Sequence, residues 1–245
     1  MERQIQISAK DLGQIALYDF CPRCFWIKLR VRNRLPFQIF PGIFSSIDSY
    51  NKRIVHSWFD KHRSPPDWMK PLGDIINYKE PPHHSKYRFL DPSTNVLLTG
   101  SPDGIFILRN GSHLIVDYKT AKFTGTQDQL YPMYEVQLNA YALIGESLDL
   151  NPVSGLALIY MEPITDSIAA AQDENQREYG FSMGFSATIM EVMLDLGLLR
   201  PLLSKTKEIF NLDKSPEGRP GCKDCRSLKE ILGWLSSNLD GPQMI

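Results

Sequence analysis

The chain has only four cysteines, and they fall into two pairs: Cys21 and Cys24 in CPRC, and Cys222 and Cys225 in CKDC. Four thiolates complete a tetrahedral metal shell, so two C-x-x-C pairs with no other cysteine point to one shared centre. The pairs stand about 200 residues apart. A shared centre therefore forces the two ends of the chain to meet on one side of the molecule. The alternative is four unrelated buried thiols. Disulfides are not expected in a reducing cytosol. Zinc and a [4Fe–4S] cluster both accept four thiolates, and the symmetric pairing on its own favours zinc.

A length of 245 residues suits a single domain. Its core is expected over about 45–195, with terminal segments 1–44 and 196–245 forming the four-cysteine region. Apolar residues make up 42% and charged residues 22%, ordinary for a globular protein with a sizeable core. No apolar run approaches the ~18 residues of a membrane span. The opening MERQIQISAKD lacks the apolar centre of a secretory signal, so a cytoplasmic protein with no membrane partner is expected. The net charge of -1 is uninformative, but its distribution is uneven. Residues 1–63 hold eleven Lys or Arg against five Asp or Glu. Arg23, Lys28, Arg30, Arg32 and Arg34 crowd one segment together with Phe25 and Trp26. Basic and aromatic residues so mixed suit phosphate contacts and base stacking; otherwise they form a solvated helix face.

Along the chain, residues 8–31 read as a first helix carrying CPRC, and 35–44, broken by Pro36, Pro41 and Gly42, as a loop. A helix is expected over 45–62, where Ile47, Tyr50, Ile54 and Trp58 recur at helical spacing. Residues 63–87 hold five prolines and no sustained period, which reads as a long connection. Strands are expected near 86–90, 96–108 and 113–119, a helix over 127–147, and strands over 153–163 and 177–188. Residues 189–212 read as helical, 213–225 as a loop presenting the second cysteine pair, and 227–239 as a short amphipathic helix. This order implies an α/β fold with a mixed central sheet flanked by helices.

The chemistry is concentrated in GSPDGIFILRNGSHLIVDYKTAK, residues 100–122. Two apolar strands surround Asn110-Gly111, yet the first carries Asp103 and the second ends in Asp117 and Lys119. Side chains alternate along a strand, so Asp117 and Lys119 share a face. A lone D-x-K is more often a solvated pair. Two carboxylates converging from adjacent strands are another matter, because hard cations such as Mg²⁺ or Mn²⁺ take oxygen ligands. Convergence makes a demand on the turn. A two-residue loop at Asn110-Gly111 would set Asp103 opposite Tyr118 and away from Asp117. The chemistry therefore requires an odd-length loop or a bulge, and Pro102 and Gly104 both favour irregularity there.

These residues resemble the signature of the PD-(D/E)XK nuclease superfamily: Pro102-Asp103, then Asp117-x-Lys119 on the next strand. Gln137 and Tyr141, in VQLNAYA, match the Q-x-x-x-Y element of its RecB-like branch, and His56 lies on an upstream helix where that branch supplies a metal ligand. The terminal cysteine pairs are similar to those of its iron–sulfur members, such as the CRISPR-associated exonucleases. Two departures stand out. The cysteines divide two and two instead of one and three, and Ser49 and Lys52 stand where the branch carries a glycine before the histidine.

The resemblance implies a restriction-endonuclease-like core and a metal-dependent DNA nuclease. It implies an exonuclease acting on single-stranded or end-containing DNA, in repair, recombination or CRISPR-type processing, with protein partners in such a complex. His56, Asp103, Asp117 and the Tyr118 carbonyl would hold Mg²⁺ or Mn²⁺. Lys119 would activate water, Gln137 would position Lys119 or the nucleophile, and Tyr141 would contact a phosphate. Cys21, Cys24, Cys222 and Cys225 would hold a [4Fe–4S] cluster, with zinc as the alternative. A catalytically silent nucleic-acid-binding or adaptor protein on the same fold is the rival reading.

Overall fold

A computed structural model describes residues 4–32, 42–124 and 129–238 of the chain. The elements run β1 (Ile5–Ser8), α1 (Ala9–Gly13), α2 (Pro22–Arg30), α3 (Gly42–His62), β2 (Ile75–Lys79), β3 (Arg88–Asp91), β4 (Val96–Thr99), β5 (Gly104–Leu108) and β6 (His113–Lys119). Then follow α4 (Tyr131–Glu146), β7 (Val153–Pro163), α5 (Ser167–Ala171), β8 (Gln176–Arg177), β9 (Gly180–Phe181), β10 (Phe185–Val192), α6 (Leu199–Asn211) and α7 (Lys223–Asn238).

The central sheet has the order β10-β7-β6-β5-β2. Strands β6 and β7 are parallel and every other neighbouring pair in it is antiparallel, so the sheet is mixed. Parallel neighbours need a crossover, and α4 supplies it by packing across one face of the sheet. On that face Ile105 and Ile115 join Val136, Leu138 and Ile144 in a continuous core. On the other face Phe106, Leu114, Val116 and Tyr118 pack against Val55 and Phe59 of α3 and against Met69 and Leu72 of a 3₁₀ turn. Residues 113–118 are thus buried without a break, as expected of a strand covered on both faces. The result is a mixed α/β fold with a central mixed sheet flanked by helices.

A second sheet, β1-β4-β3, abuts the first. It corrects the expectation of one strand over 96–108. Gly100, Ser101 and Pro102 separate β4 from β5, and the two belong to different sheets, because proline cannot donate to a ladder. Gly100 is also where backbone must pass close to α4. A Cβ there would lie 2.5 Å from Cε1 of Tyr141 and 3.3 Å from Cβ of Ala9.

Other boundaries differ as well. Residues 8–31 are not one helix: Ser8 caps α1 by accepting from the Asp11 amide, and α2 starts afresh at Pro22, a residue suited to a first helical turn. Of the expected loop 35–44, residues 35–41 lie outside the described residues, and Gly42 already begins α3. The proline-rich stretch 63–87 contains the edge strand β2. In the expected helix 127–147, residues 127 and 128 lie outside the described residues and α4 begins at Tyr131. Residues 189–192 extend β10, since Ile189 and Val192 pair with β7 and pairing overrides a weak helical pattern. Helix α6 starts at Leu199, so Pro201 sits harmlessly in its first turn. Helix α7 begins at Lys223 and carries Cys225 within it. No helix among the described residues is long and apolar enough to cross a membrane.

Gly100→Ala should lower stability by about 1–3 kcal/mol through overpacking against Tyr141, measured by urea unfolding. Unchanged stability would show that the contact is soft.

Candidate functional site

The turn between β5 and β6 decides the site. Gly104 pairs with Val116, Ile105 with Ile115, Phe106 with Leu114 and Ile107 with His113. Leu108 then faces Ser112, donating to its carbonyl at 2.9 Å, and Arg109-Asn110-Gly111 form a three-residue loop. Gly111 takes a positive φ of 85°, and its amide closes the turn onto the Leu108 carbonyl. The odd loop length that convergence requires is present. One step beyond the paired segment, Asp103 stands opposite Asp117, and its amide still donates to the Val116 carbonyl at 3.2 Å.

Asp117 is buried at the C-terminal end of β6. Its Oδ2 lies 2.5 Å from Lys119 Nζ, and its Oδ1 accepts from Gln137 Nε2 at 3.2 Å. Gln137 also accepts from Lys119 at 3.3 Å and donates to the Tyr141 hydroxyl at 2.7 Å. The Lys119 ammonium sits 4.0 Å from the centre of the Tyr134 ring. Gln137 and Tyr141 are one turn apart on α4, so the helix presents both to the strand end together. Asp103 Oδ2 accepts the Tyr118 amide at 2.9 Å, which ties its carboxylate to the same strand end. The structure thus brings together Asp103, Asp117, Lys119, Gln137 and Tyr141. The carbonyl of Tyr118 belongs to the same short strand end, while the Tyr118 ring is buried in the opposite core.

Helix α3 contributes residues that motif matching passed over. Lys52 Nζ lies 2.7 Å from Asp103 Oδ1 and 3.2 Å from Asp48 Oδ2. Asp48, Lys52 and His56 recur every four residues, one stripe of the helix, and that spacing was a readable signal. His56 is not drawn into the aspartate group. Its Nδ1 pairs with Glu80 at 3.0 Å, and its ring stacks on Tyr78 at 4.1 Å. It lines, with Lys52, Glu80, His83 and Asp103, a cleft of about 430 Å³ that opens beside the aspartates.

The electrostatics follow from this crowding. Burial raises the Asp117 carboxyl to about 6, repulsion from Asp103 adds to it, and Lys119 opposes both. Burial and the Asp103 charge also raise Asp48. Lys52 is raised despite its burial, because Asp103 and Asp48 favour its charged form. Three carboxylates and two ammonium groups therefore share one strand end.

The four cysteines do meet. Cys21 and Cys225 sulfurs are 3.5 Å apart, Cys24 and Cys225 3.5 Å, and Cys24 and Cys222 3.6 Å. All four ligand atoms lie within 4.8 Å of one another, and among the described residues no other group of three or more His, Cys, Asp or Glu does so. Burial works against the Cys21 thiolate, yet amide donation from Cys24 and Arg219, together with the Cys225 and Cys24 sulfurs, outweighs it and lowers this thiol to about 6. Burial, and hydrogen bonding to Cys225, push Cys24 upward. Four such sulfurs cannot all ionise without a cation between them, which is the chemistry of a metal centre.

Three residues of the basic segment beside CPRC have partners within the chain. Arg23 Nε donates to the Pro216 carbonyl at 3.0 Å, and Lys28 pairs with Asp11 at 2.5 Å. Arg30 donates to the Phe210 and Leu212 carbonyls at 2.9 and 2.7 Å, capping the end of α6, and lies over the rings of Trp26 and Phe210. Arg32 follows α2 with φ 52°. Arg34 lies outside the described residues.

No family model and no curated protein matches the chain. Among solved structures, the crystal structure of the archaeal protein SSO0001 superposes with a TM-score of 0.40 at 13% identity, over 88% of this chain and 80% of that one.

An unfolded aspartate titrates near about 3.9. Since folded Asp117 holds its proton to about 6, its contribution to stability is complete below pH ~4 and is lost as pH rises to about 6. Asp117→Asn should therefore flatten the fall in stability between pH ~4 and ~6, measured by urea unfolding without added divalent ions. An unaltered pH profile would contradict the buried, crowded carboxyl.

Proposed function

We propose that this chain is a divalent-metal-dependent DNA nuclease working at the end of β6, on a restriction-endonuclease-like core. The observation that carries the reading is the register that sets Asp103 opposite Asp117, with Lys119 and Gln137 joined to the same carboxylate. The motif set Pro102-Asp103, Asp117-x-Lys119 and Gln137-x-x-x-Tyr141 supports it, as does the position of the site at the C-terminal end of a parallel strand in an open α/β sheet.

The donor set suits Mg²⁺ or Mn²⁺. Asp103 and Asp117 offer carboxylate oxygens and Tyr118 a backbone carbonyl, all hard ligands. The Lys52 ammonium already lies against Asp103 Oδ1 and Asp48 Oδ2, so this corner accepts positive charge. Bound there, a divalent ion supplies a water nucleophile at neutral pH and neutralises phosphate charge. Lys119 would orient an attacking water and stabilise charge developing on the phosphate oxygens. Gln137 fixes Lys119 by accepting from it and fixes Asp117 by donating to it. Tyr141, through Gln137, holds the amide in that orientation. The cleft at Lys52, His56 and Asp103 is the proposed approach for a strand end. Terminal residues joined by a four-cysteine metal centre form the structural clamp.

One observation favours a second reading, a nucleic-acid-binding or adaptor protein without cleavage. Lys52 occupies Asp103 Oδ1, and a lysine that never yields would keep a metal out.

Incubating 5′- and 3′-labelled linear and circular DNA with Mg²⁺ or Mn²⁺ separates the two. Cleavage of ends is expected, and Asp103→Ala, Asp117→Ala and Lys119→Ala should each slow it at least about a hundredfold while the circular dichroism spectrum is unchanged. Full metal-dependent activity in Asp117→Ala would sink the assigned site. DNA binding without cleavage by the parent protein would establish the second reading.

A further inference from the structure

The geometry points to a single tetrahedral metal ion at the four cysteines, of the zinc type, instead of the [4Fe–4S] cube that the resemblance implies. The inference is independent of whether the aspartate site cleaves DNA, because it concerns a centre at the far ends of the sequence.

The size of the site carries it. Zinc–thiolate bonds are about 2.3 Å, so four sulfurs around one tetrahedral ion stand about 3.8 Å apart. Three of the six separations are 3.5, 3.5 and 3.6 Å and none exceeds 4.8 Å, far nearer to that cage than to anything wider. A cube places each thiolate on a different iron, at its own corner. Its ligand sulfurs must therefore stand roughly 6 Å apart, with four irons and four sulfides between them. The cage has room for one ion at its centre and none for eight atoms.

The surroundings oppose expansion. Cys21 directly precedes α2 and Cys222 directly precedes α7, so each pair is held at the start of a helix with its two sulfurs three residues apart. Spreading the pairs would separate α2 from α7 and strain what else joins the ends. Arg23 donates to Pro216, and Arg219 donates from its side chain to the Asp19 carbonyl at 3.0 Å. The loop before Cys222 closes onto the sulfurs directly. The Arg219 amide donates to Cys21 Sγ at 3.3 Å, and Gly218 passes so near that a Cβ would lie 2.7 Å from Cys225 Sγ. An amide pointed at a metal-bound thiolate is the outer-shell support such sites use. The division of the cysteines into two equal pairs agrees with a mononuclear site.

The centre is then a redox-inert clamp. Zinc has no accessible redox change and no geometric preference of its own, so it takes the tetrahedron the two helices offer. The full-length chain should be purified anaerobically from cells replete in both iron and zinc, then measured by elemental analysis and by X-ray absorption at the zinc and iron edges. One zinc per chain is expected, surrounded by four sulfurs at about 2.3 Å with no metal–metal neighbour. Zinc-depleted protein treated with ferrous iron and sulfide should not acquire a cluster, whereas cobalt should fill the site with a tetrahedral thiolate spectrum. Four irons with acid-labile sulfide in the isolated protein, or a cube formed on reconstitution, would overturn the inference. So would protein without metal whose four thiols alkylate freely in the folded state.

Discussion

The proposed aspartate site depends on a three-residue turn. Arg109, Asn110 and Gly111 take the chain from β5 to β6 with an odd number of residues, so Asp103 falls opposite Asp117. A turn shorter by one residue would move every side chain of one strand to the other face. The apolar alternation would fail at the same time, because Ile105 and Ile115 share one core while Phe106, Leu114 and Val116 share the other. The requirement for a packed core and the requirement for paired carboxylates therefore select the same register. Asn110 reinforces it, accepting from the Ser112 amide at 3.0 Å and so holding the turn from within.

From that register the rest of the site follows by layers. The crossover between parallel β6 and β7 obliges a helix to lie over the sheet, and α4 brings Gln137 and Tyr141 to the strand end. Across the sheet, α3 packs Val55 and Phe59 into the second core and thereby presents Asp48, Lys52 and His56 along its edge. Burial of Asp117 between these layers raises its carboxyl, Lys119 opposes that rise, and Lys52 pairs with Asp103 and Asp48. A second constraint, the clamp between chain ends, is built from more than sulfur. Arg30 caps the last carbonyls of α6, Trp26 donates to the Leu212 carbonyl at 3.1 Å, and Arg219 reaches Asp19. A metal bridging the cysteines would close a loop spanning most of the chain and so would remove considerable freedom from the unfolded state.

Much of this was legible from residues alone, and the failures have physical causes. The turn had to be odd for the two aspartates to meet, and it is. The cysteine pairs had to come together, and they do. Strand β10 and the break between β4 and β5 were misread because local periodicity does not report which strand a segment pairs with. The basic and aromatic segment suggested phosphate contacts and stacking, and the sequence did not show that Arg23, Lys28 and Arg30 also have partners within the chain, at Pro216, Asp11, Phe210 and Leu212. Asp48 and Lys52 were passed over because the motif directed attention to His56, although all three lie on one helical stripe. His56 itself turned to Glu80 and Tyr78, partners in β2 and just beyond it that the proline-rich sequence had disguised as loop.

The central claim is that the paired aspartates hold the divalent ion at which phosphodiester bonds are cleaved. Crystals grown without divalent ions and soaked in Mn²⁺ test it most directly, because anomalous scattering locates the ion without reference to activity. The account predicts a peak bonded to carboxylate oxygens of both Asp103 and Asp117, with the Lys52 side chain moved off Asp103. Manganese bound elsewhere with neither aspartate as a ligand, at a concentration that supports cleavage, would contradict it.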